Sequence, residues 1–556
     1  MKNSIIFIIL FVLKISFAQK TISNVDKLAL TCKVWGFLKY YHPEVASGKF
    51  NWDNELFKIL PKINEAKNKQ EFSLVIENWI DKLGKILNIS PIKDSDSIHY
   101  FYKNLDLKWL SKSSLFSSNL SDKLEYIRNN RWQGEQFYVS VPFDKGVADP
   151  VIIQNELRQR DIKWTDLNLR LLTLFKYWNT INYFYPYKYL MDVNWDKSLL
   201  DAIPEFIKAQ TEKDFHNAIT KIVVRTNDGH ASYFPEFEGQ PQFGTFFIPA
   251  LYKFIDNKLV ITKILNDSLA AADDIQLGDA IERIDKTIIS DFIKENKKST
   301  PSSNYLAYLE ALTYKISPFI NQKIEIKFLR NSIRKINTIS LYSAHDFHRD
   351  RNVKKEVKFK TLANNIGYIN LVRIKKTDLD SLFTVLKGTK AIIFDIRNYP
   401  LISEDDLAPY LERKNNVFVM QTYADTKFPG RFIYEKPYGG QLNVESMPRY
   451  LGKIIVLVNE VTHSHAEWLG MFFKNIKNAI VIGSQTSGAD GGISSYEITI
   501  PFKTTFSGKG VYYPDGNETQ RIGIIRDIEV KTTIAGIQQG KDEILERAIE
   551  FIETNK

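Results

Sequence analysis

One pattern occurs twice in this chain, and the two copies are 143 residues apart at every matched position. Trp35, Tyr40, Pro43, Asn51, Trp52, Asp53, Pro61 and Phe72 recur as Trp178, Tyr183, Pro186, Asn194, Trp195, Asp196, Pro204 and Phe215. A constant offset through large aromatics and an Asn-Trp-Asp triplet is the signature of a structural repeat. Apolar residues in each copy recur at helical spacing, as in Leu169, Leu172, Phe175 and Trp178, followed by a loop and then Leu199, Ile203 and Phe206. The front of the chain is therefore read as duplicated and helical, with core aromatics. Asp53 and Asp196 stand where a helix N-cap is expected.

The copies diverge at one place. The second runs into Thr226-Asn227-Asp228-Gly229-His230-Ala231, whereas the position opposite His230 in the first is Leu87. Packing of the duplication does not require that histidine, so His230 is a candidate for chemistry.

At 556 residues the chain exceeds one core and implies several units. It opens with a short basic start, an apolar run from Ile5 to Val12 interrupted later by Lys14, and Ser16-Phe17-Ala18. This reads as a signal peptide over 1–18, which predicts a periplasmic or secreted protein with no stable membrane span. The alternative is a buried N-terminal helix. Net charge is +10, but the basic residues are dispersed and no arginine-rich arm occurs, so nucleic acid is not an expected partner. Cys32 is the single cysteine, which excludes an intramolecular disulfide and a cysteine-based zinc site, and no metal or cofactor is expected.

Between 243 and 345 short strands dominate. Lys258–Ile264 is read as a strand, followed by Asp267-Ser268-Leu269-Ala270, Leu277-Gly278-Asp279 and Ile281–Asp285. The order resembles a PDZ domain, which implies capture of an extended peptide tail at a sheet edge. Arg349, Arg351, Lys354, Lys355, Lys358 and Lys360 then form a basic, solvated connector.

From 355 the pattern alternates strand and helix. Strands are expected at 366–371, 391–398, 453–459 and 479–483. Such apolar strands with helices between them predict a sheet covered on both faces, with ligands bound off its carboxyl ends. The strand ending at Asn459 leads into Thr462-His463-Ser464-His465-Ala466-Glu467, where a helix should start. Ser464 with Glu467 reads as a capping box. It reads equally as a nucleophile among free backbone N–H groups. Spacing alone leaves both open.

The order of motifs goes further. A strand, Ser464-His465-Ala466-Glu467 opening a helix, Val481-Ile482-Gly483 with Thr486, then Gly510–Gly516 and Gly523–Ile528, together with Ile366–Ile369 and Asp395–Asn398, resembles the C-terminal processing (tail-specific) serine peptidases. The resemblance spans about 220–550 and implies a crotonase/ClpP-like catalytic domain with Ser464 as nucleophile. In many members a lysine follows in Thr-x-Gly-Lys-Gly. Here Thr486-Ser487-Gly488-Ala489 places Ala489 there, so that lysine base is absent. The family's Gly-Gly after Asp395-Ile396-Arg397-Asn398 is replaced by Tyr399-Pro400-Leu401, which puts an oxyanion N–H from that loop in doubt. The tricorn-like, lysine-less branch uses Ser-His-Glu, with an Asp-x-His turn in its chlamydial members. The resemblance therefore implies His230 as the base. His463 and His465 are rivals by position. The third residue falls on Gln520, with Glu518 competing, and the backbone N–H of His465 is the implied oxyanion donor.

The resulting expectation is an α/β chain: a signal at 1–18, helical copies at 19–155 and 156–242, a PDZ-like domain at 243–345 and a crotonase-like peptidase domain at 355–556. It would act as an exported serine endopeptidase on polypeptides, with the C-terminal tail as a point of recognition. The alternatives are an inactive peptide- or ligand-binding protein on the same scaffold and, less suited to an exported chain, an acyl-CoA enzyme.

Overall fold

The computed structural model describes residues 22–156, 164–234, 244–348, 358–415, 417–439, 449–498 and 503–555. The segment read as a signal and most of the basic connector lie outside these residues. Among the described residues no helix is long and apolar enough to cross a membrane.

The first copy supplies helices α1 (Asn24–Tyr41), α2 (Trp52–Glu65) and α3 (Lys69–Asp81). The second supplies α4 (Leu167–Phe184), α5 (Trp195–Lys208) and α6 (Glu212–Val224). Each boundary repeats at the sequence offset. The indole N–H of Trp35 donates to the carbonyl of Trp52, and Trp52 donates back to Trp35 (3.2 and 3.0 Å). Trp178 and Trp195 do the same (2.9 and 3.0 Å). These exchanges satisfy two buried donors per copy, which explains why the tryptophans recur together. The caps correct the sequence reading. Asn51 and Asn194, not the aspartates, accept backbone N–H groups at the starts of α2 and α5. The aspartates join the copies instead: Asp53 pairs with Lys176 of the second copy (2.6 Å), and Asp196 with Lys33 of the first (2.8 Å). Where α1 meets α4, Gly36 faces the Asn179 side chain, which occupies the space of a Cβ.

Strand β1 (Ser232–Phe234) follows the second copy. Next come β2 (Ala250–Ile255), β3 (Lys258–Ile264), β4 (Ala280–Ile284), β5 (Lys323–Arg330) and β6 (Ile333–Ser340), in a sheet ordered β6-β5-β4-β3-β2. Helix α7 (Tyr305–Ile316) packs beside β2, the edge strand. Asp279 of the Gly-Asp turn is held by the Arg330 guanidinium (2.7 Å).

The last unit is built on β7 (Phe359–Leu362), β8 (Ile366–Asn370), β9 (Ala391–Asp395), β10 (Lys453–Val458) and β11 (Ala479–Gly483), with β12 (Ile493–Glu497), β13 (Lys503–Ser507) and β14 (Ile528–Glu529) beyond. Its main sheet runs β7-β8-β9-β10-β11-β14 and is parallel from β8 onward. Alternate residues of β9 and β10 face two separate cores. Ile392, Phe394, Ile454 and Val456 join one, and Ile393, Ile455 and Leu457 the other. Helix α8 (His465–Lys474) covers one face and α9 (Glu543–Thr554) the other, as continuous apolar strands require. β13 pairs with β12 and with β1, and Phe506 and Tyr496 join the core of the helical copies. That shared core ties the helical front to the last unit.

Candidate active site

β10 ends at Val458, and a short turn carries the chain to Ser464 at the start of α8. Asn459 N–H donates to Thr462 Oγ1, and that hydroxyl donates to the Ile396 carbonyl, fixing the turn to the end of β9. Ser464 adopts φ 53° and ψ −120°, a region that L-residues with side chains rarely occupy. Its N–H donates to the Ala489 carbonyl (3.1 Å), and its own carbonyl accepts from Glu467 and Trp468.

The capping-box alternative is overturned here. The Ser464 hydroxyl caps no helix N–H. Glu467 accepts from the Thr486 hydroxyl, from Gly488 N–H (2.7 Å) and from Ala489 N–H (2.9 Å). A buried carboxylate is satisfied by the loop it clamps, and the serine oxygen is left without a structural task. Burial pushes Glu467 up to about 7, against the pull of these donors. The same loop is bolted from the other side: Asn304, the N-cap of α7, donates to the carbonyls of Thr486 and Ser487 (2.8 Å each).

His230 reaches this loop from the helical front. Gly229 packs so closely on Ala489 that a Cβ at 229 would sit 2.7 Å from the alanine Cβ. The histidine turn is thus packed directly on the position that the lysine occupies in other members of the resembled family. His230 is only 5% exposed, whereas Leu87, its counterpart across the offset, is 73% exposed. The His230 ring lies 4.8 Å from the ring of His463, the neighbour of Ser464.

Two residues with no sequence assignment orient that ring. β1 pairs with β13 so that Ser232 faces Thr505, and continuing the register two residues brings Ser507 opposite His230. Ser507 Oγ donates to Asp228 Oδ1 (2.8 Å), and His230 Nδ1 lies 3.1 Å from the same Oγ. Asp228 also accepts Ser507 N–H (2.7 Å) and His230 N–H (3.0 Å). Burial raises the Asp228 carboxyl, against the pull of its Ser507, His230 and Gln520 donors; in the ionised form it takes the Ser507 hydroxyl proton, and Nδ1 is the protonated ring nitrogen. Nε2 is then a bare lone pair, buried and without a partner among the described residues. Burial pushes His230 and His463 down to about 4 each, so both rings are neutral at pH 7.

The remaining sequence candidates fall in different places. Gln520 does not reach His230; its amide nitrogen lies 3.4 Å from Asp228 Oδ1 and 3.3 Å from Tyr185 Oη. It supports the aspartate rather than the imidazole. Glu518 is drawn away to Tyr189 Oη (2.6 Å) and Lys103 Nζ (3.1 Å). His465 uses Nε2 to bond the Ile402 carbonyl (2.9 Å), so its ring is committed. Its backbone N–H opens α8 and has no acceptor among the described residues. In the loop after β9, Ile396 N–H bonds Leu457 O and Arg397 N–H bonds Asp395 Oδ1, which removes both as oxyanion donors.

A cavity of about 720 Å³ runs from β2 and α7 to the carboxyl ends of β9 and β10. Leu251, Tyr252 and Tyr314 line one end, and Asn398, Asn459 and Val461 the other.

Residues 365–530 match the model of peptidase family S41. No curated protein matches the chain in sequence. Among solved structures, mature CPAF superposes with a TM-score of 0.52 at 12% identity, covering 70% of this chain and 98% of that one. Mature CPAF complexed with lactacystin gives 0.51 at 12% identity, covering 70% and 99%. At that identity the likeness is one of fold, and it extends beyond the matched domain into the helical front. A putative peptidase from Parabacteroides merdae gives 0.43 at 17% identity, over 70% of this chain and 98% of that one, which is too distant to add to it.

Proposed function

We propose that this chain, which carries a serine-peptidase domain of family S41, cleaves polypeptides through a Ser464–His230 acyl-enzyme mechanism. The observation that carries the reading is the Asp228–Ser507–His230 relay, which leaves a bare, buried imidazole nitrogen on a ring 4.8 Å from that of His463, the residue before Ser464. In this mechanism Ser464 Oγ attacks the scissile carbonyl while His230 Nε2 takes the hydroxyl proton. The carbonyl oxygen becomes an oxyanion facing the free N–H of His465. The C–N bond then breaks as the imidazolium returns the proton to the leaving amine. Water, deprotonated by the same nitrogen, releases the acyl group and restores the serine. Asp228, acting through Ser507, holds the tautomer and stabilises the imidazolium, and Gln520 supports Asp228.

The apolar cavity beside edge strand β2 supports recognition of an extended tail, added to the sheet and led toward Ser464. We read the 143-residue offset as a duplication whose second copy alone acquired the base, and residues 1–18 as an export signal that places the protein in the periplasm or outside the cell. Incubation with an unstructured polypeptide in the presence of a chelator is expected to yield discrete fragments from wild type and none from Ser464→Ala. Equal fragmentation by both proteins would refute the mechanism. Faster cleavage of a free-tailed peptide than of its C-terminal amide would support tail recognition, and equal rates would remove it.

Glu467 predicts a pH signature. Its carboxylate form accepts the N–H groups of Gly488 and Ala489, and protonation below about pH 7 withdraws acceptor capacity from the loop. kcat/KM should therefore fall as pH drops through about 7. Glu467→Gln should lack that limb and keep only the fall near pH 4 set by His230. Persistence of the limb near 7 in the variant would remove Glu467 as its source.

A further inference from the structure

The two helical copies exchange ion pairs, and the two ends of that exchange differ in charge. At one end Lys176 meets Asp53 (2.6 Å), and Glu156 bridges Lys176 (3.0 Å) and Lys39. Two ammonium groups there face two carboxylates, all nearly excluded from solvent. The other end is built from the residues offset by 143: Lys33 in place of Lys176, Asp196 in place of Asp53, and Asn182 in place of Lys39. Lys33 pairs with Asp196 (2.8 Å), but among the described residues no carboxylate bridges Lys33 to a second ammonium group as Glu156 bridges Lys176 to Lys39. A cavity of about 320 Å³ opens there, lined by Lys33, Lys188, Asn182 and Trp109, with Asp196 and the exposed Asp106 also on its wall.

Lys188 gives this end its second ammonium group. Its Nζ donates to the Asn182 carbonyl (3.0 Å) and side-chain oxygen (2.8 Å), and it has no carboxylate partner among the described residues. Burial pushes Lys188 down to about 8, with Lys33 adding to the effect and Asp196 and Asp106 opposing it. Asp106 is exposed and accepts Lys108 N–H, while Lys103 at the rim is paired with Glu518 (3.1 Å). At the counterpart end both ammonium groups are paired with carboxylates; at the cavity end, among the described residues, Lys33 is paired and Lys188 is held only by the neutral oxygens of Asn182. A shielded ammonium without a counter-ion is unfavourable, and the cavity is of a size that holds small ligands. Each end also sets an aromatic ring against one ammonium: Tyr138 at 4.4 Å from Lys39, and Trp109 at 5.0 Å from Lys33.

We propose that this cavity binds a carboxylate, held between Lys33 and Lys188 as Glu156 is held between Lys176 and Lys39. Glu156 follows an extended stretch that includes the strand Ile152–Ile153, so a carboxylate borne by a peptide is the nearest analogue, and a free small acid is the other source. The proposal does not depend on the chemistry at Ser464.

Calorimetric titration with succinate, with acetyl-Ala-Glu-Ala-amide and with its glutamine analogue tests it. One equivalent of a carboxylate probe should bind per chain, and the probe that binds identifies the source. The glutamine peptide should not bind. Affinity should fall about tenfold or more in Lys188→Met and, in wild type, as pH rises above about 8 and the amine loses its proton. Without ligand, Lys188→Met should melt at or above wild type, because it removes an unpaired ammonium. Lys176→Met should melt below wild type, because it strands two carboxylates. The proposal is overturned if no carboxylate probe binds up to about 10 mM, if Lys188→Met binds as wild type does, or if Lys188→Met destabilises the free protein as much as Lys176→Met.

Discussion

Replacing Ser464 by alanine should lower peptide hydrolysis by roughly 10⁴-fold or more while leaving the fold intact. The loss follows from the absence of any structural task for the hydroxyl. It caps no N–H, and Glu467, which might have shared a capping box with it, is occupied by the 486–489 loop. Removing Oγ therefore breaks no side-chain hydrogen bond among the described residues and removes only the nucleophile. The backbone adds a second, independent readout. At φ 53° a side chain is strained, and glycine is not. Ser464→Gly should be as inactive as Ser464→Ala yet more stable than it by about 1 kcal/mol, measured by chemical denaturation. A Ser464→Ala protein that retains more than about a hundredth of wild-type turnover would place the nucleophile elsewhere.

His230→Ala should cost about 10²–10⁴-fold in kcat/KM, the range for a lost general base. Ser507→Ala should cost less, about 10–100-fold, because the imidazole remains but its Nδ1 proton loses its acceptor. Asp228→Asn should resemble Ser507→Ala or exceed it, since an amide cannot stabilise the imidazolium. The order separates this relay from one based on Glu518. Glu518 is engaged by Tyr189 and Lys103, so Glu518→Gln should leave kcat within about threefold of wild type. A larger effect at Glu518 than at Ser507 would reverse the assignment.

The helical front was the most legible part of the chain. Repeated tryptophans are buried in reciprocal pairs that tolerate little change, so the offset in sequence is also the offset in helix boundaries. The role of Asp53 and Asp196 was not legible. An aspartate at a helix start caps locally or pairs at a distance with equal ease, and only the approach of the other copy decides. Ser464 could be seen at a helix start, but its freedom could not. That depends on Glu467 preferring two backbone donors some twenty residues on, which periodicity does not carry. His230 was marked by its mismatch with Leu87. Ser507 carried no local signal, because its position opposite His230 comes from the pairing of β1 with β13, a contact across more than 270 residues. Asp228 was visible in the Asp-Gly-His turn but took its meaning only from Ser507. Gln520 was misdirected by one step, since alignment along the chain cannot tell a partner of the imidazole from a partner of its aspartate.

The central claim is that Ser464 is a nucleophile activated by His230. The most direct measurement is the rate at which a serine-directed fluorophosphonate modifies the protein, with the adduct located by peptide mass analysis. One adduct is expected, on Ser464, absent in Ser464→Ala and formed about a hundredfold or more slowly in His230→Ala of unchanged circular dichroism. An adduct on another residue, or labelling of His230→Ala at the wild-type rate, would contradict it.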